Sequence, residues 1–302
     1  MTILQAIILG IVQGLTEFIP ISSTAHLIFT TRVLDLFSTI TDPELRAQQT
    51  TASIAVLQLG TLLAVLVYFA SDILTITFSF IRDHISWITG RSRNRYYSGN
   101  YKRPKWMSDE TWLGWLVIIG SIPIGVIGLL LKKLIEGSAT KNLWLIAIMM
   151  VSIAVLLWIA EKVGSRRNEL NKLGVTDAIV VGFAQVLALM PGASRSGSTI
   201  MGGLFAGQTR ETAARFSFLL SIPAIAASGL LELKEAYKII PETDFVPLAI
   251  GTLVAAIIGY ASIWFLISFL KKRSTGVFIA YRLVLGAILI TLLATNVLSP
   301  QI

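Results

Sequence analysis

The sequence predicts an all-α polytopic membrane protein. Its 302 residues are 54% hydrophobic and only 14% charged, with a mean hydropathy of +0.75, whereas a soluble domain is about one quarter charged. Several apolar runs exceed the ~18 residues that indicate a membrane span. Because backbone polar groups must be satisfied inside lipid, we expect these spans to be helices.

Composition excludes several kinds of site. The chain has no cysteine, which excludes disulfides, thiolate metal ligands and cysteine nucleophiles. Its start lacks the basic region and small-residue cleavage site of a signal peptide. We attribute the formal net charge of +8 to basic loops that face an anionic leaflet. We therefore do not expect nucleic acid as a partner.

The first half of the chain predicts one re-entrant helical hairpin followed by three transmembrane helices. Residues 3–19 are apolar, residues 27–37 are weakly apolar, and Pro20 with Ser22-Ser23-Thr24 separates them. Neither segment makes a clean span, so we expect two short helices that enter and leave by the same face. The spans are predicted at 50–70, 112–131 and 142–160. Residues 71–111 read as a partly amphipathic membrane-surface loop, with His84 solvated.

The second half repeats this order. Residues 176–206 match the opening hairpin, and spans are predicted at 213–231, 246–270 and 277–298. Since each half has an odd number of spans, the halves should form two inverted-topology repeats, residues 1–162 and 172–302, within a single integral membrane domain, 1–302. Such repeats place a site near the bilayer midplane, where broken segments meet.

Charge asymmetry predicts the orientation. Of the 25 Lys and Arg residues, 15 fall in the loops on one side, seven on the other, and three inside membrane segments. The richer side should be cytoplasmic. Both termini would then face outward, the first hairpin would enter from outside, and the second would enter from the cytoplasm.

The second hairpin carries a predicted anion site. Arg195 lies in an apolar segment, where a guanidinium costs several kcal/mol, and Ser194, Ser196, Ser198 and Thr199 surround it. A guanidinium fork, hydroxyl groups and glycine-freed backbone N–H groups together suit a phosphate. A structurally paired or snorkelling arginine is the alternative.

The first hairpin carries a carboxylate, hydroxyls and a histidine. Glu17 and Gln13 are one helical turn apart and share a face, so their oxygens suit Mg²⁺ or Ca²⁺, although they could equally hold a water or a proton. His26 follows the hydroxyl-rich tract and could act as acid, base or nucleophile. A structural role is the alternative for both Glu17 and His26.

Both tracts resemble the undecaprenyl-diphosphatase family, the bacitracin-resistance proteins. The resemblance rests on Gln13-Gly-Leu-Thr-Glu17-Phe-Ile-Pro-Ile-Ser-Ser-Thr-Ala-His26 and on Pro191-Gly-Ala-Ser-Arg195-Ser-Gly-Ser-Thr199. It covers their order and spacing, the chain length and the span pattern. The family pattern begins the first tract with Glu or Gln, then three residues, then Glu. This chain has the glutamine form.

The resemblance implies a bacterial plasma (inner) membrane enzyme that hydrolyses undecaprenyl diphosphate to undecaprenyl phosphate and inorganic phosphate. That reaction recycles the lipid carrier for cell-wall synthesis, needs a divalent cation and takes place at a site open to the outer face. The implied catalytic residues are Glu17, Ser23, His26 and Arg195. The implied diphosphate-binding residues are Ser194, Arg195, Ser196 and Thr199, and the implied metal ligands are Glu17 and Gln13.

Three questions stay open at the level of sequence. Ser23, His26 or a water could be the nucleophile. A lipid transporter or flippase is a second reading of the repeats, although it has less use for Glu17 and His26, and a purely structural membrane protein leaves Arg195 unexplained. The oligomeric state is undetermined, with a homodimer as one candidate.

Overall fold

A computed structural model describes residues 1–37, 40–91, 103–131 and 142–300, and over these ranges the chain forms eleven α-helices and no β-strand. In chain order the helices are α1 (Ile3–Phe18), α2 (Ser23–Val33), α3 (Pro43–Tyr68), α4 (Ala70–Ile88), α5 (Asp109–Leu130), α6 (Leu143–Val163), α7 (Val175–Val186), α8 (Arg195–Phe205), α9 (Arg210–Ile239), α10 (Phe245–Leu270) and α11 (Gly276–Ala294).

Polar caps define where the long helices start. A side-chain oxygen accepts a hydrogen bond from a backbone N–H of the first turn at Asp42, Ser108, Asn142 and Thr209. Each cap satisfies a donor that the helix leaves unpaired. Helix α3 therefore begins at Pro43, well before the predicted start at residue 50, and includes a polar first turn and a half.

Six helices are long and apolar enough to cross a membrane, as the sequence predicts. They are Glu44–Tyr68, Asp109–Leu130, Leu143–Val163, Arg210–Gly229, Glu242–Leu270 and Gly276–Ala294. Helices α1 and α7 are shorter apolar helices. The protein is a multi-pass helical membrane protein.

The segment predicted as a surface loop begins instead as helix α4, which is amphipathic. Exposed Leu74, Phe78, Ile81, Ile85 and Ile88 recur along one face at helical spacing. The opposite face packs on α5, and the amphipathic part of the prediction is confirmed. Residues 92–102 of the predicted loop, including Tyr96, Tyr97 and Tyr101, lie outside the described residues.

The prediction of a solvated His84 is wrong. Its Nδ1 lies 2.6 Å from the Phe80 carbonyl oxygen, and the Trp115 indole donates to its Nε2 at 3.2 Å. The ring also stacks on Phe80, with 4.2 Å between centroids. Surrounding aromatic rings therefore leave His84 only half-exposed, which the charged residues nearby in sequence did not indicate.

Glycines let the short helices α1 and α7 approach the spans closely. A Cβ added at Gly10 would lie 2.3 Å from the Gly251 carbonyl oxygen of α10, and one added at Gly182 would lie 2.4 Å from the Gly120 carbonyl oxygen of α5. No side chain fits at these separations. The helices that carry the candidate residues are thus packed backbone to backbone against two membrane-spanning helices.

A carboxylate fixes the helix ends near the second tract. Glu161, at the end of α6, accepts hydrogen bonds from Arg210 Nε at 2.7 Å and from the Thr275 hydroxyl at 2.8 Å. Arg166 adds a third contact at 3.2 Å. Because charge-assisted hydrogen bonds are the strong ones, Glu161 ties together α6, α9 and the start of α11.

Candidate active site

Two short turns form the centre of the site, one between α1 and α2 and the other between α7 and α8. Each turn ends in a serine with positive φ, +78° at Ser22 and +70° at Ser194. Each serine is followed by a helix of 11 residues. Positive φ is uncommon for a residue with a side chain, and such strain clusters at functional sites. The two sequence tracts therefore adopt the same local geometry.

Glu17 joins the two tracts. Its Oε2 accepts a hydrogen bond from the Ser23 hydroxyl at 2.9 Å and from the Gln13 amide at 3.2 Å. Its Oε1 accepts a hydrogen bond from Arg195 Nη2, which makes an ion pair between the first and second tracts. Glu17 is buried, with 7% of its surface exposed. A buried carboxylate needs such partners because desolvation of an unpaired charge is costly.

The oxygen atoms at Glu17, Gln13 and Ser23 suit a hard divalent cation as ligands. Gln13 is fully buried; its Nε2 contacts Glu17 and the Thr61 hydroxyl, whereas its Oε1 has no hydrogen-bond partner. Since Nε2 rather than Oε1 faces Glu17, the amide would have to turn to place its oxygen beside the carboxylate. The carboxylate, the turned amide oxygen and the Ser23 hydroxyl would then be the kind of ligands that Mg²⁺ and Ca²⁺ prefer. No group of three or more His, Asp or Glu side chains with metal-site geometry occurs among the described residues. A cation here would need phosphate oxygens to complete its ligands.

Arg195 opens helix α8 and lies in the pocket. Its side chain is 19% exposed and lines a small pocket with Glu17, Ser196, Ser217 and Phe218. The Ser194 hydroxyl caps α8 by accepting from Gly197 N–H at 3.1 Å, and it lies 3.2 Å from the Ser196 hydroxyl. A helix N-terminus attracts anions through its free N–H groups and its dipole. Guanidinium, hydroxyls and helix end together suit a phosphate group.

Thr199 lies one turn behind Arg195 and is fully buried. Its hydroxyl donates to the Arg195 carbonyl oxygen at 2.7 Å and lies 2.5 Å from the Ser217 hydroxyl of α9. These contacts fix α8 against α9. Thr199 thus supports the residues of the pocket rather than lining it.

His26 lies in the first turns of α2, with both ring nitrogens engaged. Nδ1 is 2.7 Å from the Ser22 carbonyl oxygen, so it carries the proton and donates it. Nε2 is 2.6 Å from the Tyr281 hydroxyl, and the two rings stack with 5.6 Å between centroids. In this arrangement Nε2 accepts from the Tyr281 hydroxyl, and the ring nitrogens contact neither Ser23 nor Glu17.

Sequence reasoning missed three residues of the site. Thr61 of α3 contacts Gln13, Tyr281 of α11 contacts His26, and Arg282 of α11 donates to the backbone of both turns. Only Arg282 had a signal in the sequence, because a charged residue inside an apolar span is a functional candidate by default. Thr61 and Tyr281 are ordinary residues of membrane helices.

Comparison with known proteins identifies the family of the chain. Residues 6–288 match the family model described as bacitracin resistance protein BacA. The undecaprenyl-diphosphatase of Syntrophobacter fumaroxidans is 48% identical over 96% of this chain and 97% of its own length. That of Chlorobaculum tepidum is 44% identical over 99% and 100%, respectively, and that of Mycolicibacterium smegmatis is 43% identical over the whole of both chains. The chain belongs to the BacA family of bacitracin resistance proteins.

Proposed function

We propose that the protein hydrolyses undecaprenyl diphosphate to undecaprenyl phosphate and inorganic phosphate, recycling the lipid carrier of peptidoglycan synthesis. Its relatives, 41–48% identical over nearly the whole chain, are named for this activity. The observation that carries the proposal is the contact of Glu17 with both Ser23 and Arg195. It brings a carboxylate, a hydroxyl and a guanidinium together at one pocket, as phosphoryl transfer requires.

The diphosphate replaces Glu17 as the partner of Arg195. Arg195 turns its fork from Glu17 to the phosphate oxygens, while Ser194, Ser196 and the N-terminus of α8 donate hydrogen bonds to the same group. Glu17 Oε1 is then released from the guanidinium, while Oε2 still accepts the hydrogen bond from Ser23. The apolar side of the pocket, with Phe18, Phe218 and Ile225, accommodates the start of the prenyl chain.

Ser23 is the nucleophile that this geometry favours. Its hydroxyl already donates to Glu17 at 2.9 Å, so Glu17 takes the proton as the oxygen attacks the terminal phosphorus. The bond from that phosphorus to the bridging oxygen breaks, and undecaprenyl phosphate leaves. Water then releases phosphate from the serine. Arg195 stabilises the charge that spreads over the transferred group.

A divalent cation, Mg²⁺ or Ca²⁺, is part of the proposal. Glu17 and Gln13 would hold it together with phosphate oxygens of the substrate, and it would neutralise charge on the transferred group. The supporting observation is the buried Gln13 Oε1, which has no hydrogen-bond partner.

His26 is proposed as a proton-transfer residue. The hydrogen bond from its Nδ1 to the Ser22 carbonyl oxygen fixes both the tautomer and the ring orientation. Displacement of the Tyr281 hydroxyl by substrate would free Nε2 to exchange a proton with the phosphate group.

The proposed architecture is two inverted repeats, each with a re-entrant helix pair. Two Gly-x-x-Gln sequences support it, one from Gly10 to Gln13 in the first hairpin and one from Gly182 to Gln185 in the second. Gly10 of the first packs on Gly251 in the second span of repeat two, and Gly182 of the second packs on Gly120 in the second span of repeat one. A two-fold relation between the halves generates such reciprocal contacts. A homodimer remains a prediction from sequence.

The proposed location is the bacterial plasma membrane, with the basic loops inside and the active site open to the outer face. The charge asymmetry supports this orientation. Parts of it rest on Lys and Arg residues at 92–102 and 132–141, which lie outside the described residues. A flippase explains the repeats but not the hydrogen bond from Ser23 to Glu17, so hydrolysis is favoured.

Arg195→Ala should lower kcat/KM for a prenyl diphosphate by about 10²- to 10³-fold, because the main charge stabilising the transferred phosphoryl group is lost. Phosphate release by the purified protein measures this, with Arg46→Ala as control, since Arg46 pairs with exposed Asp35 away from the pocket. An inactive wild type would refute the phosphatase proposal itself, and a fully active Arg195→Ala variant would refute the role of Arg195.

Ser23→Ala should lower kcat by on the order of a thousandfold or more, leaving the residual rate that binding groups alone provide. Thr24→Ala is the matched control, because exposed Thr24 is the next hydroxyl along the chain. Rapid-quench measurements with ³²P-labelled substrate should detect a phosphorylated wild-type protein and none for Ser23→Ala. Near-normal turnover by Ser23→Ala would exclude Ser23 as the nucleophile.

Gln13→Glu should lower the cation concentration for half-maximal activity by about an order of magnitude, because a second carboxylate strengthens a hard-ion site. Glu17→Gln should raise it and reduce the maximal rate. Titration of chelator-treated protein with Mg²⁺ and Ca²⁺ checks both. Gln185→Glu, equally buried, is the control in the second tract. Activity unaffected by chelator would contradict the cation proposal.

A membrane-impermeant thiol reagent tests the orientation, since the chain has no cysteine of its own. In intact cells Val297→Cys, with 69% of its surface exposed near the C-terminus, should react from outside. Lys172→Cys, with an exposed side chain in the segment between α6 and α7, should react only after the membrane is opened. The reverse pattern would show that the proposed orientation is inverted.

A further inference from the structure

Arg282 is the largest fully buried side chain among the described residues. It lies in the second turn of α11, a membrane-spanning helix. A buried arginine ordinarily pairs with a carboxylate, yet no carboxylate contacts Arg282 among the described residues. Backbone carbonyl oxygens accept all of its described hydrogen bonds.

Three of these carbonyls belong to the two turns of the active site. Arg282 Nη2 donates to the carbonyl oxygens of Gly192 and Ala193, both at 3.0 Å, and Nη1 donates to that of Pro20 at 3.3 Å. Pro20 precedes Ser22 by two residues, and Gly192 precedes Ser194 by two residues. One guanidinium therefore contacts corresponding positions of both turns.

Helix α6 anchors the same guanidinium from behind. Arg282 Nε donates to the Met150 carbonyl oxygen at 3.2 Å. Gly192, with φ of +91°, lies so close to α6 that an added Cβ would be 2.4 Å from the Ile146 carbonyl oxygen. The second turn is thus held between α6 and Arg282.

Electrostatics give Arg282 a second role. Its charge lies beside the N-termini of α2 and α8, which are the positive ends of their helix dipoles. Glu17 is the carboxylate of the pocket, and Arg195 already pairs with it. The region around the two turns therefore carries excess positive charge, which a bound diphosphate compensates.

We propose that Arg282 is a positioning residue for the reaction: its planar fork holds the Pro20 and Gly192–Ala193 turns at the separation that aligns Ser23 with Arg195, and its charge attracts the diphosphate without touching it. The second half of this proposal rests on the proposed phosphatase function. Ser22 and Ser194 have strained φ values, and strained backbone persists only when surrounding contacts over-determine it. The hydrogen bonds from Arg282 are contacts of this kind.

Two substitutions separate the fork from the charge. Arg282→Lys keeps the charge but cannot reach both turns at once. Because small misplacements of reacting groups lower the rate of the chemical step, kcat should fall about 10- to 100-fold. KM should stay within about twofold of the wild-type value. Arg282→Met removes both properties, so kcat should fall and KM should rise. Arg215→Met is the control, because Arg215 is also an arginine of a membrane helix but pairs with Asp72 on α4; it should match the wild type.

A distance measurement tests the clamp independently of activity. Spin labels at Val33→Cys and Phe205→Cys, exposed positions at the far ends of α2 and α8, report the relation between the two helix pairs by double electron–electron resonance. The wild-type background should give one narrow distance distribution, Arg215→Met the same, and both Arg282 variants a broader one. If Arg282→Met does not fold, the distance distribution of Arg282→Lys still tests the clamp.

The outcomes are distinguishable. A wild-type kcat for Arg282→Lys, or a narrow distribution in both Arg282 variants, overturns the clamp. Loss of activity in proportion to lost folded protein, with kcat per folded molecule and KM unchanged, also overturns it by showing a purely structural role. If the wild type releases no phosphate, the phosphatase proposal fails, whereas the distance distributions still decide whether Arg282 holds the turns.

Discussion

The ion pair between Glu17 and Arg195 is the contact on which the site depends. The two residues are 178 positions apart in the chain, and each lies on a helix with no other charged residue. In a low-dielectric interior a charge without a partner is costly. Assembly of the first helix pair, α1–α2, against the second, α7–α8, removes this cost for both residues. The same contact places Ser23, through its hydrogen bond to Glu17, beside the proposed phosphate site.

Close backbone packing makes this meeting possible. Helices α1 and α7 are too short to cross a membrane on their own, and they reach the centre of the protein by lying against α10 and α5. The carbonyl oxygens that face Gly10 and Gly182 leave no space for a side chain. Small residues serve helix association in membranes in this way, because close approach gains dispersion contacts without any hydrophobic driving force. Gly10 and Gly182 therefore lie where α1 and α7 approach α10 and α5 too closely for any side chain.

Strain and support occur together around the turns. Ser22 and Ser194 hold positive φ values and immediately precede α2 and α8, whose first residues are Ser23 and Arg195. Arg282 supports the turns through hydrogen bonds to backbone carbonyls, and α6 packs closely on Gly192 of the second turn. Glu161 holds the ends of α6, α9 and α11, so the support is itself fixed. A reaction that needs a hydroxyl and a guanidinium aligned on one phosphorus gains from such preorganisation.

The sequence by itself determined the six spans, the two short helix pairs and the chemical type of most site residues, because apolar run length and intramembrane polar groups are local properties. It also indicated Arg195 and Glu17 as functional candidates, since buried charge is costly wherever it occurs. Only the tertiary structure decided that these two pair with each other, that His26 contacts Tyr281, and that Arg282 contacts both turns. Helix α4 and the contact of His84 with Trp115 were likewise settled by packing against α5. Such contacts join residues far apart in the chain, and no local pattern encodes which buried polar groups will become neighbours.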